Sequence, residues 1–400
     1  MTGIRNALLA AVMMAAPLST AKAADAADGL TLQRVVMVMR HSVRPPTKAQ
    51  ATPPGTTAQP WSSWTTPYGD LTPHGAQGAR LMGGYYRTFL GARGLLPREG
   101  CAPAGDVVVW ASSKSRAIKT AEAFVDGLQP GCGVKVARPA SEETDTVFHP
   151  AAIIDGDLAL KASQRQKPGL AAETKALAKE FATLHRVLGV DIAKQGSRLE
   201  AVKDDNANLE GALGIASTAG QTLLLEYVEG KPMAEVGWGR ASKADIQALL
   251  RFHTVKFRYE VGPPYVAQRY AAPVAKTILA ALNGEAGTGK LTLLVGHDTN
   301  IAALRGFLDA HFTAADYPQD DPPPGGAMGF ELLKDAKGAS FVRAFYTAQT
   351  MDQLRALQPL TASNPPAYSY FAIPGCGAAP CPLATFQKIV GDKLANPVKR

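Results

Sequence analysis

Two short stretches concentrate residue types able to grip and attack an anion. One is Arg40-His41-Ser42-Val43-Arg44-Pro45-Pro46, the other is Gly296-His297-Asp298-Thr299-Asn300, and a third basic residue, Arg116, stands between them in the chain. Guanidinium groups are planar, forked and permanently charged, so Arg40, Arg44 and Arg116 suit a bidentate grip on the oxygens of a phosphate. Cations around an imidazole disfavour its protonation, so His41 should stay neutral further into the acid range than a free histidine and offer a nucleophilic nitrogen. His297 could help stabilise charge on a transferred phosphoryl group, and Asp298 is of a type to protonate a departing oxygen. The same arginines favour the ionised form of Asp298, which works against that role unless a bound dianion offsets them. The arginines do the electrostatic work that a metal would do. His74, His185 and His311 form no ligand-spaced group, so neither a metal nor another cofactor is expected.

Each cluster needs an element to hold it. Val35 to Met39, Val107 to Trp110 and Leu291 to Val295 are short apolar, β-branched runs, the pattern of strands buried on both faces. Helical patterns follow the second and third, over Arg116 to Leu128 and Asn300 to Leu308. Strand, loop and helix recurring in this way predict an α/β fold with a mixed, mostly parallel sheet flanked by helices. Ligands of such sheets sit outside the carboxyl ends of the strands, where all three clusters fall. From about Asp157 to Tyr259 the pattern turns helical, including Gly169 to Leu188 and Ala241 to Tyr259. The expected organisation is therefore an α/β domain over 24–150 and 265–400, with an inserted helical domain or lid over 151–264.

The first residues read as a leader. Arg5 supplies a positive start, Ala7 to Leu18 a short apolar run, and Ala21-Lys22-Ala23 a cleavage site, so 1–23 is expected to be a signal peptide. Secretion or a periplasmic location follows, with no membrane association after cleavage. An oxidising compartment makes disulfides of the four cysteines. They allow three pairings, of which Cys101 with Cys132 and Cys376 with Cys381 is preferred because each would close a local unit. The net charge of +8 suits anionic substrates, although dispersed solvated charge is the simpler account of it. No basic run interleaved with aromatics suggests nucleic acid, and a monomer acting on a small molecule is expected.

Arg40 to Pro46 resembles the Arg-His-Gly-x-Arg-x-Pro signature of the histidine phosphatase superfamily, and Gly296 to Asn300 resembles the His-Asp motif of its branch 2, the histidine acid phosphatases. Thr47-Lys48, Leu71-Thr72-Pro73, Phe148-His149-Pro150, Gly237-Trp238-Gly239, Pro323-Pro324-Gly325-Gly326 and Leu354-Arg355 are also similar to stretches of the bacterial periplasmic phytases and glucose-1-phosphatases. The resemblance implies hydrolysis of phosphomonoesters, phytate or sugar phosphates, through a phosphohistidine at His41. It makes Asp298 the proton donor, and Arg40, Arg44, Arg116 and His297 the phosphate holders. Ser42 departs from the signature's glycine; its side chain could crowd the backbone or its hydroxyl could bond the phosphate, so altered rate or selectivity is expected rather than loss of activity.

Residues at three places in the chain are candidate substrate contacts, each with a plainer alternative. Thr47 and Lys48 follow the nucleophile loop, and Lys48 could meet a second phosphate or be an ordinary solvated lysine. His253 and Phe257 share a helix face that could line the pocket or simply pack. His149 could contact substrate or serve a turn. Two other functions remain open from the sequence: a phosphomutase of the wider superfamily, and a non-catalytic protein that binds phosphate or a phosphosugar.

Overall fold

A computed structural model describes residues 29–149, 154–377 and 379–398. The expected signal peptide lies outside the described residues. The strands are β1 (Thr31–Arg40), β2 (Val107–Ala111), β3 (Val136–Ala137), β4 (Ser197–Glu200), β5 (Asn208–Gly211), β6 (Leu291–Gly296), β7 (Ala327–Lys334), β8 (Ser340–Ala348), β9 (Ala367–Phe371) and β10 (Cys381–Pro382). The helices are α1 (Pro73–Ala92), α2 (Ser115–Leu128), α3 (Gly156–Gln164), α4 (Leu170–Ala176), α5 (Ala178–Leu188), α6 (Ala212–Val228), α7 (Lys243–Leu249), α8 (Arg251–Glu260), α9 (Pro264–Asn283), α10 (Asp298–Leu308), α11 (Met351–Arg355) and α12 (Leu383–Ala395).

The central sheet runs in the order β10-β8-β7-β1-β6-β2-β3, with β9 also on β8. It is mixed as expected, but not mostly parallel. Parallel pairing joins β1 to β6, β6 to β2 and β2 to β3. Antiparallel pairing joins β1 to β7, β7 to β8, and β8 to both β9 and β10. For β7 and β8 the cause is local: the turn between them is too short to cross over. Asp335 Oδ1 accepts from the amides of Lys337 and Ala339 at 2.9 and 2.8 Å, which closes that turn.

Alternate residues of β1 face opposite layers. Val36 and Val38 pack with α9, α10 and α12, while Val35, Met37 and Met39 pack with α1 and α2. The apolar runs at β1 and β6 thus mark strands covered on both sides. Disulfides join Cys101 to Cys132 and Cys376 to Cys381, the preferred pairing. Among the described residues no helix is long and apolar enough to cross a membrane.

The middle of the chain is helical with one exception, a hairpin of β4 and β5. The helical pattern over Gly169 to Leu188 forms two helices, α4 and α5, which meet at Leu177 where φ is −101° and ψ 21°. Ala241 to Tyr259 is likewise divided into α7 and α8 at Leu250. The helices share a core with Val43, Trp61, Met351 and Leu354 of the sheet half, so the two parts of the molecule meet beside the loop that follows β1.

Candidate active site

The carboxyl ends of β1, β6 and β2 stop level with one another: Met39 and Ala111 are both in register with Val295. The residues that follow are therefore delivered to one edge. The amide of His41 donates to the carbonyl of Gly296 (2.9 Å), and that of Ser112 to Val295 (2.8 Å). On the other side of β1, Arg40 donates from its amide to Gly326, and Gly325 donates to His41, which brings the Asp321–Gly326 loop to the same edge.

His41 is buried, and its Nδ1 lies 2.9 Å from the carbonyl of Ser42. A carbonyl only accepts, so Nδ1 carries the hydrogen and Nε2 keeps its lone pair. Burial, followed by Arg44, Arg116, Arg40 and His297, holds the ring well below the usual histidine range. The imidazole is thus neutral, held by its own loop, with a lone pair on Nε2 able to attack.

Arg40 is buried as well, and its Nη2 meets Asp298 Oδ2 at 2.9 Å and Gln221 Oε1 at 3.1 Å. Its Nη1 donates to the carbonyl of Pro322 (2.6 Å). Arg44 donates to the carbonyl of Pro45 (2.8 Å), and burial together with Arg116 and Arg40 lowers it to about 9. Arg116 is lowered too, first by burial. The Nε atoms of Arg40, Arg44 and Arg116 are all buried without a hydrogen-bond partner. Unpaired buried donors are costly, and three around one imidazole form a ready grip for an oxyanion.

His297 precedes α10, and its amide donates to Oδ1 of Asn300 (2.8 Å). Gly296 is required there, because a Cβ would stand 2.5 Å from the Phe148 ring and 2.6 Å from Asn300. His297 Nε2 meets Ser112 Oγ at 3.1 Å, and burial, Arg116 and His149 keep the ring well below the usual histidine range. Asp298, at the first position of α10, shares Oδ2 with Arg40 and receives the Thr299 amide at Oδ1 (2.9 Å). Burial would raise it, but Arg40, His253, His41 and Arg44 prevail and hold it below the usual carboxylate range.

The structure brings Arg40, His41, Arg44, Arg116, His297 and Asp298 together. Thr47 and Lys48 are exposed on the rim of a cavity of about 690 Å³ that Arg40, Arg44, Gln221, Lys256 and Asp298 also line. His253 lines the same cavity but is buried, with Nδ1 2.5 Å from Asp321 Oδ1. Ser42 is buried, and its hydroxyl lies 3.7 Å from where a side chain at Gly78 or Gly325 would begin. His149 stands behind His297, ring centroids 5.0 Å apart, and shares Ser112 Oγ with it. The sequence reading passed over Ser112, Thr120, Gln221, Lys256 and Asp321. Only Asp321 carried a visible signal, an acid at the head of the Pro-Pro-Pro-Gly-Gly turn. Among the described residues no group of three or more His, Cys, Asp and Glu side chains could hold a metal ion.

The profile of the histidine phosphatase superfamily (branch 2) matches residues 31–347. The chain belongs to that family. A phytase of Escherichia coli (strain K12) is 30% identical over 91% of this chain and 92% of its own. A glucose-1-phosphatase of Salmonella typhimurium is 29% identical over 97% of this chain and 99% of its own. Among solved structures, the phytase of Hafnia alvei in complex with tartrate superposes with a TM-score of 0.85 at 32% identity, over 91% of this chain and 97% of that one. A phytase from Klebsiella sp. ASR1 gives 0.84 at 30%, over 91% and 96%. This histidine phosphatase is accordingly a phytase-like phosphomonoesterase, and its substrates are small phosphomonoesters.

Proposed function

We propose that the phosphatase acts outside the cytoplasm, through a phosphohistidine at Nε2 of His41, with phytate as its leading substrate and sugar phosphates behind it. The observation that carries the mechanism is the free lone pair of His41 beside three arginines whose Nε donors have no partner. The arginines and His297 take the phosphoryl oxygens, which both orients the ester and stabilises spreading negative charge. Nε2 attacks phosphorus as the ester P–O bond breaks, and Asp298 delivers a proton to the departing oxygen. Water then attacks the phosphohistidine, the P–N bond breaks, and Asp298 recovers the proton. The helical segment within 151–264 forms the opposite wall and acts as the lid. Two disulfides support secretion or a periplasmic location.

Three features support phytate: the phytases among the relatives, a roomy cavity, and two lysines beyond the arginines, Lys48 and Lys256. The test is an alkaline quench of a reaction with phosphorus-labelled p-nitrophenyl phosphate, followed by rates on phytate and glucose 1-phosphate. Label on Nε2 of His41, lost in His41→Ala, and a higher kcat/KM for phytate are expected. A folded protein that binds phosphate but releases none from any of the three esters would overturn the reading in favour of a binding protein. Transfer of label to another hydroxyl of the substrate would indicate a mutase.

A further inference from the structure

Asp298 sets a problem for that mechanism. Its cationic neighbours hold it below the usual carboxylate range, whereas a proton donor must arrive at the leaving oxygen with a proton to give. The remedy stands beside it. His253 of α8 is buried, and its Nδ1 is 2.5 Å from Oδ1 of Asp321, itself 1% exposed. A carboxylate oxygen accepts, so the ring hydrogen sits on Nδ1. Nε2 is then turned toward Asp298 Oδ2 at 3.9 Å. With a neutral ring, one acceptor would face another across that gap. A proton on Nε2 removes the conflict, and closing the gap to hydrogen-bond distance would carry that proton to Oδ2.

The other groups around His253 leave it this role. The Phe257 ring packs against it with centroids 4.3 Å apart and offers no proton. Lys256, on the same helix, lies 3.7 Å from Glu260. Arg40 binds the same Asp298 oxygen, Oδ2, and reaches the Pro322 carbonyl beside Asp321, so it fixes both ends of the line while donating no proton to it. Asp321 Oδ2 is buried without a partner, which leaves Oδ1 as the contact that holds the ring.

We infer that His253, oriented by Asp321, stores the proton that Asp298 passes to the leaving alcohol. The inference rests on the phosphohistidine mechanism proposed above. As the ester P–O bond breaks and the P–N bond to His41 forms, the Asp298 O–H bond breaks toward the alcohol oxygen and the His253 Nε2–H bond breaks toward Asp298. When water attacks the phosphohistidine, its proton returns through Asp298 to Nε2, and both residues regain their starting states. His253 is therefore a positioning residue and proton reservoir, with Asp321 as the group that sets its tautomer.

Leaving-group dependence tests this. p-Nitrophenolate departs without a proton, whereas the alcohols of phytate and glucose do not. In His253→Gln, kcat on the two alkyl esters should fall about 10- to 100-fold, and on p-nitrophenyl phosphate less than about threefold, with KM nearly unchanged. Asp321→Asn should show the same pattern more weakly, because an amide oxygen still accepts from Nδ1. Equal losses on both ester classes, or a raised KM with unchanged kcat, would overturn the inference and leave His253 a packing residue or a substrate contact. A wild type inactive on every ester overturns the phosphatase reading itself, and this one with it. Should the variants fail to fold, nitrogen NMR of the wild-type full chain decides: a proton on both ring nitrogens of His253 is expected, and a bare Nε2 sinks the stored proton.

Discussion

The amide of Ser42 donates to Oγ1 of Thr120 at 3.0 Å, and the same hydroxyl donates to the carbonyl of Arg116 at 2.7 Å. One buried side chain thus ties the loop of the nucleophile to the helix that carries the third arginine. Thr120→Val keeps the shape and removes both bonds. The orphaned amide should cost about 1–3 kcal/mol of stability, read as a lower denaturation midpoint. Loss of register between His41 and Arg116 should lower kcat by about tenfold or more. Thr120→Ser should recover most of both. A Thr120→Val enzyme with full kcat would show that the tie serves stability alone.

Ser42 raises a related question. Its hydroxyl makes no hydrogen bond and fills space left by two glycines, Gly78 and Gly325. Ser42→Gly should therefore change kcat on p-nitrophenyl phosphate by less than about threefold. Ser42→Leu should overpack the same space, costing about 1–3 kcal/mol and displacing the nucleophile loop. Thermal denaturation and kcat measured together check both. A large gain in rate for Ser42→Gly would mean instead that the side chain restrains the loop.

Much of this was legible because the chemistry follows directly on the strand pattern. Arg40 and His41 extend one buried apolar run, and His297 and Asp298 extend another, so type and position announced the site together. Asp321 and Thr120 were hidden for a different reason. Their partners, His253 and the Ser42 amide, lie 68 and 78 residues away in sequence, and no periodicity encodes contacts of that kind. The antiparallel strands were missed because β7 and β8 are packed on both faces, like the parallel ones. Their direction is set by a five-residue turn, Asp335 to Ala339, rather than by their composition.

The electrostatics of His41 predict a pH profile. Burial and then the arginines keep the free ring from protonating, so the acid limb of kcat/KM should fall well below pH 6.5. Arg44 is the first of those cations. Arg44→Gln removes part of the lowering, lets the ring take a proton at higher pH, and should move the acid limb upward while weakening substrate binding. Steady-state kinetics on p-nitrophenyl phosphate across the acid range make the comparison. An acid limb that stays in place in Arg44→Gln would assign it to a group other than His41.

Stability should carry its own pH signature through Glu226 of α6. The side chain is 1% exposed, accepts from Ser62 Oγ at 3.1 Å and from the Gly237 amide at 3.0 Å, and has Lys231 nearby. Burial outweighs these partners and raises it to about 7. The unfolded chain releases this proton near pH 4.3, about where a free glutamate does, so between that pH and about 7 the folded state binds more protons. The contribution is therefore full below the unfolded value and is lost as pH rises through about 7, by up to roughly 4 kcal/mol. Glu226→Gln cannot titrate and should lack that fall. Glu229 is also raised by burial and adds in the same direction, so wild type alone would not isolate Glu226, whereas the difference between the two proteins does. Chemical denaturation at about pH 5 and about pH 8 should show the variant gaining on the wild type at the higher pH. An unchanged difference would mean that Glu226 ionises in the folded protein as readily as in the unfolded one, with Lys231 and the Gly237 amide sufficient to hold the charge.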